Sequence, residues 1–246
     1  MDKPQHMMNN SRRDFLKTVG TVGATGIAAA VGVDTAEAQA PPASTPQPAA
    51  ALEPVSHAYT FLTAPESAFI EAAVDRFIPA DDLTPSGTES GVAIFIDRQL
   101  AGAWGSGDRT YMQGPWQKGK PTQGYQSPMT PAELFRAGIG ATNGHCRKTY
   151  QKDFDRLTVD QQINVLQNME QGRITFETVP GQEFFNLLLS TAMQGFFADP
   201  IYGGNREKVA WKMIGFPGVI AIYSEHIKTY RNKKYDVEPK SIADLS

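Results

Sequence analysis

Three times in this chain a threonine stands three residues before a glutamate or glutamine at the head of an apolar run: Thr63-Ala-Pro-Glu66, Thr130-Pro-Ala-Glu133 and Thr158-Val-Asp-Gln161. At that spacing the hydroxyl accepts from the N–H three positions on while the longer side chain reaches back, so each marks a helix start. After the first, Phe69, Ile70, Ala73, Val74, Phe77 and Ile78 recur at the helical period until Pro79 ends the run. The second opens a run to about Asp155, and the third opens one that ends near Gly172. Ser90 to Ala103 carries Val92, Phe95, Ile96, Gln99, Leu100 and Ala103 on one face, less cleanly. Gln182 to Phe197 is apolar nearly all round, the mark of a buried helix, and is too short and interrupted to span a bilayer. Arg206 to Ile214 forms one more candidate. No segment alternates with period two and no repeat is visible, so the expected fold class is mainly α, a compact helical domain.

The N-terminus belongs outside that domain. Arg12-Arg13 with Phe15-Leu16-Lys17, a mildly apolar run from Thr18 to Val33, and the small residues Ala36 and Ala38 have the layout of a twin-arginine export signal. The apolar run is rich in Gly and Ala and falls short of the roughly 20 strongly apolar residues of a membrane span. The proline-rich stretch after it reads as a solvated linker. The expected organisation is a signal peptide over 1–38, a Pro/Ala-rich linker over 39–58 and a single helical domain over 59–246. With 41% hydrophobic and 20% charged residues the chain has a globular composition, and a net charge of -3 gives no basic face for nucleic acid. Such a signal places the mature protein in an oxidising periplasm, and twin-arginine export moves proteins already folded, commonly with a cofactor inserted or a partner bound.

A search for catalytic patterns finds little. There is no G-x-S-x-G elbow and no P-loop, and a single cysteine excludes a C-x-x-C-H haem site and Cys-rich clusters. His57, His145 and His226 are widely separated, and the carboxylates Glu66, Glu71 and Asp75 have the spacing of any solvated helix face. Cys146 lies in the polar string Asn143-Gly-His-Cys-Arg-Lys148. Three states are open to it: a buried free thiol, an interchain disulfide, or a nucleophile with His145 beside it.

Two loops stand out. Residues 104–129 are dense in Gly, Pro, Tyr and Trp and too long for a simple connector. Residues 195–205, GFFADPIYGGN, place a cluster of turn-forming residues directly after the most apolar stretch, with Pro200 ending the helix, Gly203-Gly204 permitting a sharp turn and Asn205 expected as the next N-cap. These strings, together with SRRDFLK, Phe77-Ile-Pro79, Gln113-Gly-Pro-Trp116, Gln123-Gly-Tyr-Gln126 and Trp211-Lys-Met-Ile-Gly-Phe-Pro-Gly218, resemble the gluconate 2-dehydrogenase subunit 3 family, over roughly residues 63 to 235.

That resemblance implies a non-catalytic small subunit of a periplasmic, membrane-associated dehydrogenase acting on gluconate, fructose, sorbitol or a similar compound. It implies a large FAD-containing partner of the glucose–methanol–choline type and a multihaem cytochrome c, with FAD and haem c in those partners and no cofactor in this chain. The cytochrome supplies the membrane contact, and the small subunit supports assembly, stability and export of the FAD subunit. In that light Tyr111, Trp116 and Tyr125 of the long loop, and Asp199, Pro200, Tyr202, Gly203, Gly204 and Asn205 of the shorter one, are candidate interface residues. Two other readings compete: a periplasmic solute-binding module with its ligand under the aromatic loop, and a freestanding enzyme using Cys146 and His145. N-terminal sequencing of the exported protein is expected to begin at Gln39, following cleavage after Ala38; an intact Met1 on the periplasmic form would contradict the signal assignment.

Overall fold

The packing converges on Phe184. In the computed structural model, which describes residues 58–245 except 109, 111 and 118, this ring is fully buried. Phe135 meets it edge-on at 5.8 Å and Phe69 lies 6.2 Å away, itself 4.7 Å from Phe154. The expected export signal, nearly all of the linker, and Tyr111 lie outside the described residues.

The described residues include seven α-helices: α1 Ala64–Phe77, α2 Val92–Ala101, α3 Pro131–Tyr150, α4 Val159–Glu170, α5 Gly181–Phe197, α6 Val209–Ile214 and α7 Ser224–Thr229. Among those residues there is no strand, only one isolated parallel bridge between Gly218 and Lys240. All three Thr boxes form as the spacing predicts. Thr63 N and Thr130 N each donate at 2.8 Å to the glutamate three residues on, and Thr158 N donates to Gln161 at 3.1 Å. The α3 run stops at Tyr150, short of Asp155, because Gln151 turns left-handed and a short 3-10 turn, Phe154–Arg156, takes the chain back into the core.

α5 is the helix on which α1, α2, α3, α4 and α6 all pack. An element surrounded in this way needs apolar side chains on most faces, which is what its sequence supplies. It also needs close approaches. A Cβ on Gly138 of α3 would lie 2.2 Å from Cγ of Phe184, so only glycine lets the two helices meet there. α2 starts differently from its neighbours: its N-cap is Gly91 at φ 81, and a Cβ there would lie 2.3 Å from the carbonyl oxygen of Gly203. The loop after α5 therefore lies directly on the start of α2.

The entry of the chain into the domain is fixed by a buried charge. Asp97 of α2 has no exposed surface, and its carboxylate accepts from the backbone N–H groups of Thr60, Phe61 and Leu62 at 2.8, 2.9 and 2.9 Å. Charge-assisted bonds of this kind offset the desolvation that a lone buried carboxylate would suffer. Outside it, the Arg136 guanidinium lies 4.4 Å over the Phe61 ring.

Two glycines on α3 make a sign test of this packing. Gly138→Ala is expected to destabilise by about 1–3 kcal/mol through overpacking against Phe184. Gly140, with nothing within 4 Å of its would-be Cβ, is expected to gain roughly 0.5–1 kcal/mol on changing to Ala. Thermal melts of the two variants check this, and shifts of the same sign would contradict the α3–α5 contact.

Candidate functional site

The loop that leaves α5 is held at nearly every polar atom. Asp199 caps the 3-10 turn Pro200–Tyr202: one carboxylate oxygen accepts from Ile201 N at 3.0 Å, and the other accepts from Ile242 N at 2.8 Å. Gly203 takes φ 105, and a Cβ on Gly204 would lie 2.0 Å from the carbonyl oxygen of Gly195 in α5. Asn205 is fully buried. Its carboxamide donates to Ala198 O and accepts from Ala210 N, both at 2.9 Å, so one side chain ties the end of α5 to the first turn of α6. Asn205 stands directly before the 3-10 turn Arg206–Lys208, and its side chain reaches over that turn to the Ala210 N–H of α6, which begins four residues on at Val209.

Neighbouring elements complete the anchoring. Arg206 donates from its backbone to Ser90 O at 3.1 Å and from its guanidinium to Glu89 O at 3.3 Å. Arg98 of α2 donates to Ile201 O at 3.3 Å, and the Trp211 indole donates to Phe197 O at 2.8 Å. With Asp199, Gly204 and Asn205 turned inward, the side chains left facing solvent at the tip are Ile201 and Tyr202, 47% and 49% exposed. The loop is a rigid mount for two apolar groups.

Other residues singled out from sequence are placed as follows. Trp116 is exposed on the long loop. Tyr125 packs against the core and donates to Met129 O at 2.6 Å; burial pushes its phenol up to about 12. Cys146 has no exposed surface, and burial, reinforced by Asp153 and opposed by Arg147, pushes its thiol up to about 11. An interchain bond through this sulfur requires its cover to open first. His145 is half-buried beside Phe176, its pKa lowered by burial and by Lys148. His226 bonds the Tyr235 hydroxyl at 2.7 Å. Each carboxylate of the α1 face has an internal partner: Glu66 in the Thr63 box, Glu71 with the Tyr59 hydroxyl, Asp75 with Thr88 N at 2.8 Å. Among the described residues no group of three or more His, Cys, Asp or Glu is arranged to hold a metal, and no helix is long and apolar enough to cross a membrane.

Sequence reasoning missed the exposed apolar groups of the C-terminal segment, Ile214, Phe216, Ile222 and Ile227, and it missed Ile201 at the loop tip. The signal was present in the uncharged string FPGVIAIY over 216–223, which is followed by too short a helical run to bury it.

The Cys146 environment gives a direct test. At pH 8 the native thiol is expected to react with iodoacetamide at least about a hundredfold more slowly than the same thiol in urea, from the thiolate fraction alone. Because ionisation is resisted only in the folded chain, this group's stabilisation is present below pH 9 and is lost as pH rises through about 11. Equal alkylation rates in the two states would place the thiol outside the core.

The family model for gluconate 2-dehydrogenase subunit 3 matches residues 64–218, more than half of the chain's 246 residues. No curated protein and no solved structure matches the chain. The matched span begins with the first turn of α1, includes α5 and the whole anchored loop, and ends at Gly218 where the C-terminal segment departs. The chain belongs to the gluconate 2-dehydrogenase subunit 3 family.

Proposed function

We propose that this chain is the non-catalytic small subunit of a periplasmic flavoprotein–cytochrome c dehydrogenase that oxidises a sugar, sugar acid or polyol. In this reading FAD resides in a large subunit and haem c in a cytochrome that contacts the membrane. The small subunit binds the folded flavin subunit and carries it outward on the twin-arginine signal at Arg12-Arg13. The observation that carries the reading is the family match over 64–218. The architecture of the α5–α6 loop supports it, because its polar side chains are committed to holding Ile201 and Tyr202 in place. A pre-ordered apolar tip loses little conformational entropy on association, and Tyr is among the residues that anchor interfaces.

Export as a folded pair sets a further requirement. Both chains must remain bound during transit, so the contact has to form before export and without cofactors in the small subunit. Placing the signal on the subunit that recognises the folded flavoprotein makes export conditional on correct assembly.

The test is co-expression of the chain with its dehydrogenase partners, scored by flavin-subunit recovery and location. Ile201→Ser/Tyr202→Ser is expected to lower recovery by at least about tenfold, as loss of two central anchors does, with the melting temperature close to wild type. Arg12→Lys/Arg13→Lys is expected to hold both chains in the cytoplasm. A flavin subunit that still reaches the periplasm beside the twin-lysine variant would contradict the escort role.

A further inference from the structure

Residues 205–208 are strained for the side chains they carry. Asn205, Glu207 and Lys208 all stand in the left-handed region, at φ 48, 53 and 58. Asparagine tolerates that region, but glutamate and lysine rarely enter it, and both are strong helix formers. The string around them reads as an unbroken helix from Arg206 with Asn205 as its N-cap, yet α6 begins only at Val209. Local preference and the observed fold disagree over this one turn, so contacts outside it decide its shape.

Those contacts pin the turn at both ends. At its front, Arg206 N donates to Ser90 O at 3.1 Å. At its rear, residues 240–245 come back onto it. Half-buried Lys208 donates from Nζ to Asp244 Oδ2 at 2.9 Å, and the same oxygen accepts from Ser241 N at 2.7 Å. Ile242 N donates to Asp199, the residue that caps the turn under the tip. Lys240 closes the far end, donating to Pro217 O and accepting from Val219 N. Residues 240–245 are thus a strap tied to the α5–α6 junction at Asp199 and Lys208. Lys208 belongs to both parts, strained in its backbone and holding the strap with its side chain.

We infer that residues 205–208 are a two-state element held kinked by this strap, and that release of the strap lets α6 run back to Arg206 and unseats the Ile201–Tyr202 tip. The two states exchange one set of bonds for another. In an unbroken helix the Ala210 N–H donates to the carbonyl of Arg206, four residues back, and the Asn205 side chain caps the N–H of Glu207 or Lys208. In the kinked form the Asn205 carboxamide stands in for that carbonyl while it also holds Ala198 O. Extending the helix therefore takes Asn205 off the end of α5, and losing the strap takes Ile242 off Asp199, so the tip loses two of its supports together. The rigid mount of the tip is conditional on the strap. The functional consequence rests on the subunit reading above: a partner that contacts the tip binds the kinked form in preference, so the strap sets partner affinity.

Two substitutions at exposed positions push the element in opposite directions. Asp244→Lys sets a like charge against Lys208 and releases the strap. Glu207→Gly removes the left-handed strain and disfavours the unbroken helix, so it locks the kink. In the full chain, Glu207→Gly is expected to raise the melting temperature by about 2–4 °C, where glycine inside a helix would lower it. The amide-to-Hα NMR coupling of Lys208, which reports φ directly, is expected to fall to helical values in Asp244→Lys and to return when Glu207→Gly is added. Co-expressed with the dehydrogenase partners and captured through a tag on the large subunit, Asp244→Lys is expected at least about threefold below wild type, as a competent fraction cut to a third requires. The double variant is expected to recover. An unchanged Lys208 coupling in Asp244→Lys, or a lower melting temperature in Glu207→Gly, would overturn the two-state element. A turn that switches while capture stays at the wild-type level would overturn the strap's control of partner affinity and leave the subunit reading standing. A wild-type chain that brings down no partner would overturn the subunit reading, while the coupling and the melts still decide the switch.

Discussion

A helix that must be covered on nearly every face dictates the arrangement of everything around it. α5 carries Phe184, Phe185, Leu188, Ala192 and Phe196 into the core, and five other helices are needed to enclose it. Full burial of each large apolar side chain contributes on the order of 1.5–3 kcal/mol, but only if neighbouring backbones come close enough to leave no void. The missing side chain at Gly138 opposite Phe184, and at Gly195 opposite Phe95, makes that closeness available at both ends of the helix. The same burial creates a difficulty where α5 ends. Its last carbonyls and the first N–H groups of α6 emerge half-buried or buried among packed elements, where water alone serves them poorly.

The α5–α6 loop resolves this with side chains in place of water. Trp211 takes the Phe197 carbonyl, and Asn205 takes the Ala198 carbonyl and the Ala210 N–H. Asp199 takes two N–H groups, one from its own turn and one from the C-terminal segment. Leaving the fully buried Ala210 N–H unpaired costs about 1–3 kcal/mol, and the part-buried groups add smaller penalties, so the loop geometry is over-determined. Rigidity at its tip follows from satisfying polar groups beneath it, and the outward side chains inherit a fixed position without a contact of their own.

How much of this was legible in the sequence follows from the range of each interaction. The three Thr boxes join residues three apart, and the all-round apolar character of α5 is a property of one short window, so both could be read directly, and with them the mainly helical class. The motif strings likewise sufficed for the family, which the match over 64–218 establishes. Asp97 was not legible, because its partners stand 35 to 37 residues earlier in the chain. Nor was the inward turn of Asp199, whose second partner is 43 residues later. Asn205 was legible as a cap in kind but not in reach, since the intervening 3-10 turn displaces the helix it serves. α7 escaped notice because six residues carry too little periodicity to stand above a loop.

The division of labour along the chain also follows from where side chains are used. Between α1 and α6 buried Asp97, Asp199 and Asn205 are spent on backbone groups of the domain, and that part coincides with the family-matched span. Beyond Gly218 the pattern reverses: residues 219–239 have a small aromatic cluster, little burial, and aliphatic groups left in water. A folded core tolerates such a segment because its ends are clasped by Val219 and Lys240, and loop closure grows only slowly more costly with length. None of these residues joins the main core, so the exposure of Ile222 and Ile227 is a liability that packing within the chain does not relieve.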